Sequence, residues 1–438
     1  MIVKNEESCL EKCLTAVKDL VDEIIIVDTG STDKTLEISQ RFTDKTFFFE
    51  WCNDFSAARN FSLTKATKEW ILFLDADEIL AKDDHTAIRK LIERKDAIAY
   101  AFDQVEYTND ASLTGFVYIQ KKDKHSQEFL GKVIVSHAIR LFRNTPNICF
   151  HWKIHESISP SLEAKGLTAL SSGIIIHHYK NEKNHEFQQQ KMLMYLKIGE
   201  EQIKATPQHP KPLYETGLIY YFLGRYRDAA AAFEKVIAMI PKKYSEDAKF
   251  SDMKRAYHKL ARCYTKLNEF PRAISLYEKY NQLKPNESDA LAELGLLHIK
   301  INDTEKAKLF FLRALEANPA NILAAHNLSL LYIHLGQKEK AHELLQAIKE
   351  KYPNQYTYNT LGILAVQENK LTEAKDFFEN GISLQQYSSQ DITINLYINL
   401  IQLFIFQKEK KPAEKWLLQL KKFYKGDINT IEKTINAL

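Results

Sequence analysis

The chain has 438 residues, too many for one ordinary core, so two or three domains are expected. Its 45% hydrophobic and 27% charged content is that of a normal globular protein, and a formal net charge of +3 gives no global electrostatic case for nucleic acid or a membrane surface. No apolar run approaches the roughly 20 residues of a membrane span, and Met1-Ile2-Val3 leads straight into Lys4-Asn5-Glu6-Glu7 rather than into a signal peptide, so the expected location is the cytoplasm.

In chain order, Leu10 to Leu20 reads as an amphipathic helix, with Cys9 and Cys13 on the same face as Leu10, Leu14 and Val17. Five cysteines without a CxxC spacing make a disulfide framework or a structural zinc site unexpected. Glu23 to Val27, Thr46 to Phe49 and Trp70 to Leu74 are short apolar runs that suit strands buried on both faces. Between them lie helix patterns over Thr32 to Phe42 and Ser56 to Ala66. This alternation predicts an α/β domain with an open, mostly parallel sheet, whose ligands bind beyond the carboxyl ends of the strands. Residues 181–205 read as a connecting helix.

Past about residue 205 the strand signal stops and a repeat begins. Pro285, Pro319 and Pro353 follow one another at intervals of 34 residues, as do Ala273, Ala307 and Ala341, and Ala261, Gly295 and Ser329. Tyr264, His298 and Tyr332 keep the same interval. This is the tetratricopeptide pattern. Gly217, Tyr220, Ala229, Phe233 and Pro241 make an upstream unit with an insertion near Lys242 to Asp252. Gly362, Ala374 and Phe378 make a downstream unit, and Ala413 with Leu417 a degenerate sixth. The expected division is 1–180 for the α/β domain, 181–209 for the connecting helix and 210–438 for an all-α superhelix of five to six repeats.

Three strand ends carry candidate chemistry. Asp28-Thr29-Gly30-Ser31-Thr32-Asp33 ends a strand on an acid that can accept from a nucleobase or ribose, or can be a capped strand-to-helix turn. Asp75-Ala76-Asp77-Glu78 places acids two residues apart, suited to sharing a hard cation that holds a diphosphate, or to a solvated acidic loop. Arg59 lies one turn into a helix, where the dipole disfavours a cation unless an anion is near; an ordinary surface arginine is the other reading.

As a set these segments resemble glycosyltransferase family 2, the inverting, Rossmann-like GT-A fold. The resemblance includes Val3-Lys4-Asn5-Glu6-Glu7, Asp28 to Asp33, Ala58-Arg59-Asn60 and Asp75-Ala76-Asp77. It continues through Arg140-Leu141-Phe142-Arg143, Ile154-His155-Glu156 and Ile176-His177-His178-Tyr179. It implies a nucleotide-sugar site built from Val3, Asn5, Glu6, Asp28, Ser31, Arg59, Asp75, Ala76 and Arg140. It also implies Mn²⁺ or Mg²⁺ held by Asp75, Asp77 and either His177 or His178. Family members usually carry several apolar residues ahead of the Val-Lys-Asn-Glu segment, where this sequence has Met1, Ile2 and Val3: either the start lies upstream or this strand is short.

An inverting transfer needs a base on the acceptor side. Glu156 is the first candidate, with His155 orienting it or meeting the diphosphate, and Asp103 the second. Arg140 and Arg143 are rival phosphate partners; if one faces the core edge and the other solvent, only one is functional.

A family 2 domain followed by these repeats looks like the bacterial, glycocin-type transferases that modify peptides on cysteine or serine. The resemblance implies a UDP-sugar donor, UDP-glucose first, and a peptide or protein acceptor held by the helical groove. A transferase for cell-surface glycans and a repeat scaffold with an inactive domain are the alternatives. Thr108 to Lys132 reads as a donor lid or a plain solvated loop, and the repeats could support a homodimer.

Overall fold

The computed structural model describes residues 1–108, 116–118, 131–178, 185–239, 251–384, 390–424 and 426–438. Most of the Thr108 to Lys132 segment, the insertion near Lys242, and Tyr179 lie outside the described residues. The chain forms two compact units, Met1–Tyr107 with Ile134–Glu269, and Thr108–Val133 with Phe270–Leu438.

The first unit opens with three parallel strands side by side, β1 (Ile2–Val3), β2 (Ile26–Asp28) and β3 (Thr46–Phe48). Helices α1 (Leu10–Val17) and α2 (Thr35–Gln40) make the crossovers. Of the α1 face read from the sequence, Leu10, Cys13, Leu14 and Val17 are in the core, while Cys9 precedes the helix and is half-buried. Helix α3 (Phe55–Lys65) begins on Asp54, whose carboxylate accepts from the Ala57 N–H at 3.0 Å and the Ser56 hydroxyl at 2.6 Å.

A six-stranded sheet is built from β4 (Trp70–Leu72), β5 (Glu78–Leu80), β6 (Ala99–Thr108), β7 (Phe116–Tyr118), β8 (Gly131–Arg143) and β9 (Leu170–His178). Its order is β4-β8-β6-β9-β5, with β7 paired to the first residues of β8. This sheet is mixed. Strands β4 and β5 run antiparallel to β8 and β9, while β6 and β9 are parallel. The parallel alternation of the first 75 residues does not extend into it, because β4 and β5 join it as antiparallel partners of β8 and β9. Helix α4 (His85–Ile92) lies between β5 and β6, and α5 (Ser159–Glu163) between β8 and β9. The unit then continues as α6 (His185–Ala205), α7 (Pro210–Phe222), α8 (Tyr226–Met239) and α9 (Ser251–Lys266).

The second unit is a run of paired helices: α10 (Phe270–Leu283), α11 (Ser288–Lys300), α12 (Thr304–Ala317), α13 (Ile322–His334) and α14 (Lys338–Lys351). It ends with α15 (Gln355–Gln367), α16 (Leu371–Ser383), α17 (Gln390–Phe406), α18 (Lys410–Leu420) and α19 (Asn429–Asn436). The repeat grammar has a steric cause. A Cβ on Gly295 would come within 2.6 Å of the Phe311 ring, and one on Gly217 within 2.9 Å of Phe233; Gly362 faces Phe378 the same way. Each glycine lets the next helix lay a phenylalanine against backbone. The alanines Ala229, Ala273, Ala307, Ala341, Ala374 and Ala413 are wholly buried.

Candidate active site

The ends of β1 and β2 are tied together by their own loops. Asp28 is only 2% exposed, and its carboxylate accepts from the N–H of Gly30 at 3.1 Å and of Ser31 at 3.1 Å. Gly30 stands at φ +105°, which a side chain would strain. Asn5 Oδ1 accepts from the Thr32 N–H at 2.8 Å, and the Asn5 N–H donates to Ser31 Oγ at 3.0 Å. The Glu6 N–H donates to Thr35 Oγ1 at 2.7 Å. Ala76 is buried in one apolar cluster with Val3, Leu10 and Ile26, and the Cys13 thiol donates to the Asp75 carbonyl at 3.4 Å. The Asp75–Asp77 loop therefore sits over the end of the parallel sheet.

Beside it lies a buried network of acids and arginines. Arg59, 6% exposed, donates from Nε to Glu156 and from one Nη to Asp75 Oδ1 at 2.7 Å. Its guanidinium centre is 4.8 Å from the Phe73 ring centroid, with Arg140 at 4.5 Å from the same ring. Arg140, 5% exposed, donates to Glu78 Oε1 at 2.6 Å and has Nη1 3.8 Å from Asp75 Oδ2. Its Nε and Nη1 have no hydrogen-bond partner among the described residues. Burial pushes Asp75 up, but Arg59 and Arg140 outweigh it and hold the carboxyl well below the usual carboxylate range.

Glu78 is completely buried. It accepts from the Asp75 N–H at 2.8 Å and from Gln104 Nε2 at 2.9 Å, besides Arg140. Burial and then the charge of Asp75 push its carboxyl up to about 7, against the pull of Arg140. In the sequence Glu78 stands beside the acidic pair with no role assigned to it, and Gln104 belongs to no motif. The available signal was a third acid opening a strand directly after the acidic pair.

The two histidines of β9 part company, as neighbours on a strand must. His178 pairs in register with Glu78, and its Nε2 lies 3.0 Å from Asp77 Oδ2. Burial works to lower its pKa, but Asp77 and the nearby glutamates prevail and raise it. His177 points the other way and bonds through Nδ1 to the Tyr107 hydroxyl at 2.5 Å. The structure thus brings His178, and not His177, to Asp77. Among the described residues no group of three or more His, Cys, Asp or Glu is arranged to hold a metal. Asp77 and His178, with His178 Nδ1 buried and unpartnered among the described residues, offer two donors. That set fits a divalent ion shared with a diphosphate.

Glu156 reaches the cluster from an irregular segment and meets Arg59. His155 turns away toward α7, its Nε2 being 3.7 Å from Glu215 Oε2. Asp103 is bonded to His137 Nδ1 at 2.5 Å, while its neighbour Gln104 serves Glu78; the strand's alternation directs Asp103 to the opposite face. Arg143 donates to Glu69 and to the carbonyls of Ala97 and Arg94, and stacks on Trp70. Of the two rival arginines, only Arg140 stands with the acids.

A parallel three-stranded sheet and a mixed sheet with acids at the strand ends, followed by paired helices, define an α/β domain joined to a helical repeat array. Residues 1–149 match the family model described as Glycosyl transferase family 2, and residues 214–288 and 302–361 match tetratricopeptide repeat models. The chain carries a family 2 glycosyltransferase domain followed by tetratricopeptide repeats. It is 37% identical over 164 residues to a TPR repeat-containing protein of Synechococcus elongatus, covering 37% of this chain and 36% of that one. It is 29% identical over 256 residues to the SPbeta prophage-derived glycosyltransferase SunS of Bacillus subtilis, covering 58% of this chain and 54% of that one. The chain thus spans between about a third and about half of the length of these curated relatives. A solved tetratricopeptide repeat protein from Parabacteroides merdae superposes with a TM-score of 0.43 at 17% identity, over 57% of this chain and 93% of its own. No helix among the described residues is long and apolar enough to cross a membrane.

Proposed function

We propose that the chain transfers a hexose, with inversion, from a UDP-sugar to a cysteine or serine side chain of a peptide or protein. The observation that carries this reading is the convergence of Asp75 and Glu156 on Arg59, with the Asp77–His178 pair beside them in the same acidic loop. Asp28 and the Asn5–Ser31 bridge form the floor for the nucleotide base. Asp77 and His178 would hold Mn²⁺ or Mg²⁺ beside the donor diphosphate. Bound there, the ion would take up the negative charge that gathers on the departing nucleotide.

Arg59 fixes Glu156 through one carboxylate oxygen, leaving the other to receive the acceptor's proton as the acceptor attacks the anomeric carbon. Arg140, buried beside Asp75, adds positive charge on the diphosphate side of the site. The tetratricopeptide repeats hold the acceptor peptide.

The test is intact-mass analysis of cysteine- and serine-containing peptides incubated with the enzyme, Mn²⁺ or Mg²⁺ and a panel of UDP-hexoses. Addition of one hexose, abolished by Asp77→Ala, is the expected result. No transfer and no nucleotide-induced shift in melting temperature would instead favour a scaffold. A thiol with a pKa near 8.5 is partly ionised at neutral pH, so Glu156→Gln is expected to cost less with a cysteine acceptor than with serine.

A further inference from the structure

The segment that delivers Glu156 is irregular, and two of its non-glycine residues, Trp152 and His155, stand at φ +76° and +51°. Such conformations are costly for residues with a side chain and persist only where the surroundings over-determine them. Here the surroundings are α6 and α7. The Lys153 N–H donates to Oε1 of Gln202, itself 6% exposed, at 2.5 Å. The Lys153 carbonyl accepts from the Phe55 N–H at 2.9 Å, at the start of the helix that bears Arg59. Ile154 is buried in one cluster with Leu196 and Ile198 of α6 and Ile219 of α7. The two helices can close over it because α6 has Gly199 at the crossing: a Cβ there would come 2.5 Å from Thr216 Oγ1 and 3.4 Å from Ile154 Cδ1.

We infer that Gln202 is a positioning residue for Glu156, and that α6 and α7 form a wall of the transferase site rather than a linker to the repeats. The inference rests on the assignment of Glu156 as the base. A side-chain oxygen on a rigid helix holds the Lys153 N–H, which lies between the two strained residues. Releasing it lets Glu156 drift from the line of Arg59 without touching Asp28, Asp75 or Asp77.

The test uses the full chain with MnCl₂ and UDP-glucose, following UDP release by hydrolysis. Water takes the acceptor's place, forming the new bond to the anomeric carbon as the bond to the diphosphate breaks, and its proton passes to Glu156. Gln202→Met keeps the side chain's length and removes the acceptor oxygen; Gln202→Glu restores an acceptor. Gln202→Met is expected to lower kcat by on the order of 10- to 100-fold. The KM for UDP-glucose and the calorimetric affinity for UDP should stay within about 2-fold, since a positioning defect acts on the transition state. Hydrogen exchange at the Lys153 amide should speed up in Gln202→Met, and Gln202→Glu should recover both readings.

Wild-type kcat with unchanged exchange over residues 151–157 in Gln202→Met would overturn the inference. So would a rise in KM at constant kcat. If Glu156→Gln leaves hydrolysis intact, or the wild type does not turn over UDP-glucose, it is the functional reading that fails. The exchange at Lys153 then still decides whether Gln202 holds the loop.

Discussion

Glu78 shows how much a single side chain can hold in place. It is buried against Arg140, Gln104 and the Asp75 backbone, and removing one member of a buried ion pair leaves the other uncompensated. Glu78→Ala is therefore expected to lower stability by about 3–5 kcal/mol in urea unfolding. Glu78→Gln, which still accepts from the Asp75 N–H, should cost less than half of that. Equal losses would mean that packing, not pairing, is what Glu78 supplies. The β9 histidines allow a contrast at the same scale. His178→Ala should lower the Mn²⁺ dependence of activity with little change in melting temperature. His177→Ala should leave metal dependence alone and destabilise by about 1–3 kcal/mol, since it removes a buried ring that is stacked on Tyr107 and bonded to its hydroxyl. The sequence placed both histidines at a strand end but could not choose between them. Their orientation follows from the register of β9 on β5 and β6, which is set by distant residues.

Among the elements, the repeats were the most legible, because their spacing is local and recurs. Less legible was the turn inside each repeat, where the chain enters the left-handed region at Gly224, Asn268, Asn302, Gly336, Asn369 and Lys408. After each, an N–H closes back on the first helix, as Asp303 does on the His298 carbonyl at 2.8 Å and Glu409 on Phe404 at 2.9 Å. Glycine and asparagine adopt this conformation readily, whereas lysine adopts it at a cost. Lys408→Gly is accordingly expected to stabilise the array by up to about 1 kcal/mol, read as a higher melting temperature, and Lys408→Val to do the reverse. The converse holds at the helix crossings: Gly295→Ala drives a methyl into the Phe311 ring and should destabilise by about 1–3 kcal/mol.

For the whole molecule, the division at residue 180 is set against the packing of Ile154 with α6 and α7. A chain ending at residue 180 is expected to melt well below one ending at Glu269, because the former exposes that cluster; similar melting curves would argue for the shorter domain. The helical array should also respond to acid. Burial pushes His326 down to about 4 from 6.5, so the folded form stays neutral where the unfolded chain takes up a proton. Stability is then full above pH 6.5 and declines as pH falls toward 4, by up to about 3 kcal/mol at 1.36 kcal/mol per unit. His326→Asn should flatten that slope in pH-dependent unfolding.

The parallel sheet, the acidic strand ends and the 34-residue repeat were all determined by the sequence alone, since each is written in residues close together in the chain. The tertiary structure decided which of those residues meet. Arg59, Asp75 and Glu156 become one cluster only through the packing of α3, the sheet and the segment before α5. Arg140 rather than Arg143, and His178 rather than His177, face the acids because strand register fixes which side each residue takes. Register is a property of long-range pairing, and no window of neighbouring residues contains it.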